Sequence, residues 1–290
     1  MFASACATMS MGMSTKANDG HAKLFTLRRQ SLDGVERLAE FAVVEEPLEI
    51  RILHWFKDVP KVDSLAVLMR TPGSDRQLVA GYLLGESIIK HRGQLLDLHP
   101  LGDTATSNEY LAELSRDVDL ESQVLHTSFV NSSCRLCGKR GIEAIPEPIT
   151  PPQSNAPSFD VGTILRVAGL LETRLTADPS GARLSTAALT SSAGSVAAAF
   201  DDVAPVNALH KLLGHCFLEG LELASCAICL TGGCGFEQVL KTIVAGIPAL
   251  MALGAPSSLA IEAARARQLT LIGFLSEVGF KVYSGESRVR

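Results

Sequence analysis

The sequence predicts an α/β protein, with a layered, partly parallel mixed sheet in its C-terminal half and a smaller α+β portion before it. Three observations carry this. From Val196 onward, short apolar runs alternate with longer stretches at helical spacing, the pattern of strand–helix units in parallel sheets. Aromatic residues are only 5% while hydrophobic residues reach 47%, much of it alanine, which suits close-packed helix–sheet layers rather than a β-sandwich. The 290 residues suffice for one large or two small domains.

The elements follow in order. Met1 to Ala22 has no basic start, its first cation being Lys16, so it does not read as a signal peptide, and residues 1–37 are expected to form a disordered leader. Ala39 to Phe56 predicts strands broken at Pro47, with Leu48, Ile50 and Ile52 alternating. Leu65 to Met69 is another short apolar run, and Pro72-Gly73 then turns the chain. Ser74 with Gln77 three residues later predicts a capping box opening a helix that runs to about Ile89. Gln94 to Leu98 and Gln123 to Phe129 are further candidate strands. Pro146, Pro148, Pro151, Pro152 and Pro157 make residues 146–157 an extended, semi-rigid linker between a portion spanning 38–145 and a C-terminal domain of 158–290.

Beyond the linker, Ser158 is expected to cap a helix whose apolar face is Val161, Ile164, Leu165, Ala168 and Leu171. Strands are predicted over Val196–Phe200, Ser225–Leu230, Ala249–Leu253, Leu269–Leu275 and Gly279–Tyr283. Helices are predicted over Asn207–Leu218, Phe236–Ala245 and Leu259–Gln268. No internal repeat is visible.

Charge and composition exclude some functions. Lys plus Arg total 26 against 31 Asp plus Glu, a formal charge of -5, so the overall basic footprint of a nucleic-acid binder is missing. The longest apolar stretch, Ile243 to Ala255, contains Gly246, Pro248 and Gly254 and is shorter than the roughly 20 residues of a membrane span. A soluble protein is expected. Seven cysteines, an odd number without a secretion signal, point to a reducing cytoplasm.

Cys134-Arg135-Leu136-Cys137 is the most chemical motif. Arg135, Lys139 and Arg140 surround its two thiols, and positive charge favours the thiolate, which is the nucleophile. Half of a zinc knuckle is the competing reading. The second Cys-x-x-Cys, Cys226 to Cys229, lies on a predicted strand, where residues three apart face opposite sides and cannot chelate one ion. Those two cysteines, and Cys216, read as small core residues. Cys234 follows Gly232-Gly233 at a predicted helix start, where free N–H groups and the helix dipole favour an anion. Two readings stand for it: a thiol that is partly exposed and titrates below a free thiol, or a small residue filling space in a plain β-to-α turn.

Several stretches together resemble the FdhD/NarQ family, the formate dehydrogenase accessory sulfurtransferases. They are Val44 to Ile50, Met69 to Asp75 running into Gly81-Tyr82-Leu83-Leu84, Ser133 to Gly138, Ala255 to Ala260, and Leu269 to Phe274, in the family's order. The resemblance implies a cytidine-deaminase-like fold without that superfamily's zinc chemistry, hence no metal site. It implies a sulfur carrier loaded by a cysteine desulfurase on Cys134, with Cys137 assisting. The sulfur would pass to the molybdenum guanine-dinucleotide cofactor, destined for an apo formate dehydrogenase. Phe274, Leu275, Ser276, Glu277, Val278 and Gly279 occupy the loop that the family assigns to that cofactor, and a homodimer is implied by analogy.

The sequence departs from the family where the nucleotide would bind. Asp201-Asp202-Val203-Ala204-Pro205-Val206-Asn207-Ala208 lacks the family's Arg and His, Thr231 to Glu237 lacks an Arg, and Phe274 to Gly279 lacks another. The stretch Ser192 to Ala198 also lacks the family's His. At about 1.5 to 3 kcal/mol for each charged hydrogen bond, two or three lost cations would weaken phosphate binding by roughly 10³-fold or more. A divergent non-catalytic paralogue, binding the apo-dehydrogenase or a complete family member, is the alternative.

Overall fold

The computed structural model describes residues 22–32, 34–102, 107–118, 120, 157–176 and 184–290. Strands β1 (Ala22–Ser31) and β2 (Gly34–Val43) pair in register as an antiparallel hairpin. The leader expected over 1–37 is thus corrected from Ala22 onward, because Leu24, Leu27, Leu38 and Phe41 meet across the two strands.

A four-stranded sheet follows, in the order β4-β3-β6-β5: β3 (Glu46–Phe56), β4 (Val59–Arg70), β5 (Leu95–Pro100) and β6 (Glu109–Leu114). Strand β3 lies between antiparallel β4 and parallel β6. Leu48, Ile50 and Ile52 point inward as their alternation predicts. Pro47 does not break the strand, because pairing with β6 begins only at Glu49 and its missing N–H costs that ladder nothing.

Helix α1 (Asp75–Gly85) packs on this sheet. Its start differs from the predicted capping box: Ser74 sits at φ 57° and its hydroxyl caps nothing. Asp75 instead holds Arg70 through two hydrogen bonds of 2.9 and 3.0 Å. The helix stops at Gly85, short of Ile89, since Ser87 turns left-handed at φ 59° and the Ile88 and Ile89 N–H groups both return to the Leu83 carbonyl.

The larger sheet has the order β12-β11-β10-β9-β7-β8: β7 (Ser185–Ser191), β8 (Val196–Asp202), β9 (Cys226–Leu230), β10 (Ala249–Ala252), β11 (Thr270–Ser276) and β12 (Gly279–Ser284). Strands β9, β10 and β11 are mutually parallel, and the outer pairs are antiparallel. One face is covered by α2 (Val161–Thr176) through Ile164, Val167, Ala168 and Leu171. Val161, expected on that apolar face, is exposed, and Asp160 rather than Ser158 accepts from the Thr163 N–H at 2.8 Å. The other face is covered by α3 (Pro205–Glu219), α4 (Phe236–Val244) and α5 (Ser258–Ala266).

Helix α3 also packs on α1, so one continuous core joins the two sheets. At their crossing, a side chain on Gly81 would meet the His210 carbonyl, and one on Gly214 would meet the Gln77 carbonyl. No helix among the described residues is long and apolar enough to cross a membrane.

Candidate functional site

Three turns meet at the carboxyl ends of β9, β10 and β11, at residues 231–235, 253–257 and 274–279. This is where open α/β sheets bind ligands. Backbone hydrogen bonds lace the turns together. Gly254 N–H donates to Gly232 O at 3.0 Å, Cys234 N–H to Ala255 O at 3.1 Å, Ser257 N–H to Cys234 O at 3.0 Å and Phe274 N–H to Gly254 O at 3.1 Å. The approach is close enough that a Cβ on Gly254 would fall 2.7 Å from the Gly233 nitrogen. Glycine is required there by proximity, not by dihedral freedom.

The six residues implied for cofactor contact divide by strand alternation and by position in the turn. Phe274 is 46% exposed at φ 51° and Val278 is 95% exposed at the tip, whereas the Glu277 carboxylate lies against Gly169 of α2. Leu275 is buried in the α2 core and is unavailable to a ligand at this surface. Ser276 and Gly279 close the turn, the Ser276 hydroxyl donating to the Gly279 carbonyl at 3.0 Å. A cation is present that the sequence reading missed: Lys281 Nζ lies 4.3 Å from the centre of the Phe274 ring. Strand alternation puts Lys281 outward, but irregular pairing between Gly273 and Ser276 hides its meeting with Phe274.

The cysteines sort as follows. Cys226 belongs to the core on the α3 face and Cys229 to the core on the α2 face, as their opposite strand faces require. Burial pushes the Cys216 and Cys229 thiols up to about 12. Cys234 corrects the expectation of a partly exposed, acidic thiol. It is 2% exposed, its thiol is pushed up to about 12 by burial, and its backbone ties the 231–235 turn to 253–257. The side chain turns into the core, so no anion at the helix start can reach it. Native protein is accordingly expected to resist alkylation at Cys234 from pH 7 to about 9, and to label there once unfolded. Native labelling that plateaus below about pH 8.5 would refute this. Cys134 and Cys137 lie outside the described residues.

A second group, also unread in the sequence, fixes the neighbouring chain. Asp202 accepts from the Thr71 N–H at 3.2 Å and the Ala204 N–H at 3.0 Å, and pairs with Lys211 at 2.7 Å. Lys211 also donates to the Thr71 carbonyl at 2.9 Å, and Asn207 to the Met69 carbonyl at 2.8 Å. These contacts clamp the 69–75 turn onto the start of α3, so they are structural. Nearby, His210 is fully buried with neither ring nitrogen hydrogen-bonded among the described residues, and burial beside Lys241 holds its imidazole well below the ordinary value.

Fold and site together define a mixed α/β protein with a turn-built surface at the ends of three parallel strands. Comparison with known proteins gives the family. The FdhD/NarQ family profile matches residues 43–290. A sulfur carrier protein FdhD of Mycobacterium tuberculosis is 32% identical over 278 residues, covering 91% of this chain and 96% of its own. The Streptomyces avermitilis protein of the same name is 35% identical over 266 residues, covering 85% and 88%. A crystal structure from Desulfotalea psychrophila, described as a candidate formate dehydrogenase accessory protein, superposes with a TM-score of 0.71 at 19% identity, covering 93% of this chain and all of that one. The chain belongs to the FdhD/NarQ family.

Proposed function

We propose that this protein is a sulfur carrier serving formate dehydrogenase maturation, with Cys134 as the carrying residue. The observation that carries the reading is the family match over 43–290, with relatives named sulfur carriers, joined to a Cys-x-x-Cys that has Arg135, Lys139 and Arg140 beside it in sequence. The Cys134 thiolate attacks the outer sulfur of a cysteine desulfurase persulfide. A new S–S bond forms at Cys134, the desulfurase S–S bond breaks, and the desulfurase thiolate leaves. The adjacent cations stabilise the persulfide anion. Attack by Cys137 on the Cys134 sulfur would expel hydrosulfide and leave a disulfide, which a dithiol reductant then resets.

The acceptor in this reading is the molybdenum guanine-dinucleotide cofactor, as substrate, at the 274–279 turn. The exposed Phe274, with Lys281 over its ring, suits stacking against a base. The cytidine-deaminase-like relationship of the fold, a cytoplasmic location and homodimer formation belong to the same proposal. Turns 231–235, 253–257 and 274–279 contain no arginine, which favours the non-catalytic paralogue as second reading. Incubation with a desulfurase and cysteine is expected to add one sulfur to Cys134, read by mass spectrometry of the intact chain and its peptides. Absence of that adduct, with no binding of guanosine diphosphate at millimolar concentrations, would leave the paralogue.

A further inference from the structure

A cleft of about 550 Å³ opens at the opposite end of the six-stranded sheet from the 274–279 turn. Ser284 pairs with Leu271 near the start of β11, whereas Gly279 pairs with Ser276 at its end, so the two places are a strand length apart. Arg265 at the end of α5 and Arg288 in the last turn both line it, with Gln268, Ser284, Ser287 and Glu286. Neither guanidinium is spent. Arg265 donates Nε to the Tyr283 carbonyl at 3.0 Å, and Arg288 donates Nη1 to the Gln268 carbonyl and to Thr270 Oγ1 at 3.2 Å. Neither forms an ion pair among the described residues, and each keeps guanidinium N–H donors uncommitted there. Gly285, at φ 76°, holds the last turn against β11, since a Cβ would fall 2.6 Å from Thr270 Oγ1.

We propose that this cleft binds the phosphate or pyrophosphate group of a small molecule. Two forked guanidiniums, each fixed along one edge, match a group with three or more acceptor oxygens better than a single carboxylate. Ser284 and Ser287 supply hydroxyl donors beside them. Glu286 offsets one of the two positive charges and repels an anion, so the attraction of the cleft for pyrophosphate comes from the guanidinium donors and not from net charge. A volume of about 550 Å³ is that of a small-molecule site, larger than a bare ion needs.

The probes are inorganic phosphate and pyrophosphate, titrated into the full chain by calorimetry at low salt. Saturable pyrophosphate binding is expected, tighter than phosphate. Arg265→Gln and Arg288→Gln should each weaken it about tenfold, and Glu286→Gln should tighten it. Arg265 is exposed and bonded only to a backbone carbonyl, so Arg265→Gln is the variant expected to keep its fold, checked by circular dichroism. No saturation at millimolar pyrophosphate, or binding indifferent to Arg265→Gln, would overturn the proposal. Sulfur loading of Cys134 is expected to be unchanged in Arg265→Gln, which separates this cleft from the carrier reading.

Discussion

Replacing Gly81 by alanine is expected to lower the thermal unfolding midpoint by roughly 6–12 °C, or to prevent folding outright. Two effects compete. Alanine in mid-helix gains about 1 kcal/mol of propensity over glycine. Against that, the new methyl would stand 1.8 Å from the His210 carbonyl oxygen, far inside contact distance. The obstacle is backbone within α3, so no rotamer change relieves it. Helices α1 and α3 must separate, and the layer containing Leu78, Tyr82, Leu209 and Leu213 loses its packing. Ordinary overpacking costs about 1–3 kcal/mol when side chains can yield. With backbone on both sides, the net loss should reach or exceed about 3 kcal/mol, and each kcal/mol moves the midpoint by about 2–4 °C at this chain length. Gly214→Ala should behave alike, since its methyl would meet the Gln77 carbonyl at 1.8 Å. Gly232→Ala is the control: nothing lies within 4 Å of its Cβ, and its effect should stay within about 0.5 kcal/mol. Differential scanning calorimetry of the three variants checks the ordering, and a Gly81→Ala protein as stable as Gly232→Ala would refute it.

The crossing also shows what the sequence could and could not reveal. Gly81 is legible as a residue of a motif, but its partner Gly214 lies far along the chain, and only the fold brings them together. The same limit hid β7, where Thr186 to Thr190 are buried on both faces between β8 and β9, leaving no polar alternation to read. By contrast β3, β9 and the helices after Pro205 were legible, because each shows one solvated side or a strong apolar run bounded by glycine or proline. Cys226 and Cys229 were read correctly from strand period alone. Cys234 was not, because a helix start predicts where an anion would be stable but not which way one side chain turns. At the candidate site, the cluster of turns is legible through its glycines, whereas the approach of Lys281 to Phe274 depends on an irregular register no local pattern encodes.

Loss of the Asp202 carboxylate should cost about 3–5 kcal/mol, because it strands a buried ammonium. Asp202 is 0% and Lys211 3% exposed, so neither charge can turn to water. Alanine at 202 would also leave the Thr71 and Ala204 N–H groups without their acceptor. Lys211→Met should cost less, since the carboxylate keeps those two donors and the Asn207 amide at 3.4 Å. The double variant Asp202→Asn, Lys211→Met removes both charges and should recover part of the loss of Asp202→Ala, because a neutral amide beside a thioether buries no unpaired charge. Urea unfolding midpoints of Asp202→Asn, Lys211→Met and their double variant give the coupling, with Asp202→Ala measured beside them. The folded fraction of each should still load sulfur on Cys134, because the network's contacts among the described residues are those that clamp the 69–75 turn to the start of α3. Asp202→Ala with an unchanged midpoint would mean that water reaches Lys211 and the clamp is not closed. A stable Asp202→Asn protein that fails to load would instead make this network part of the chemistry.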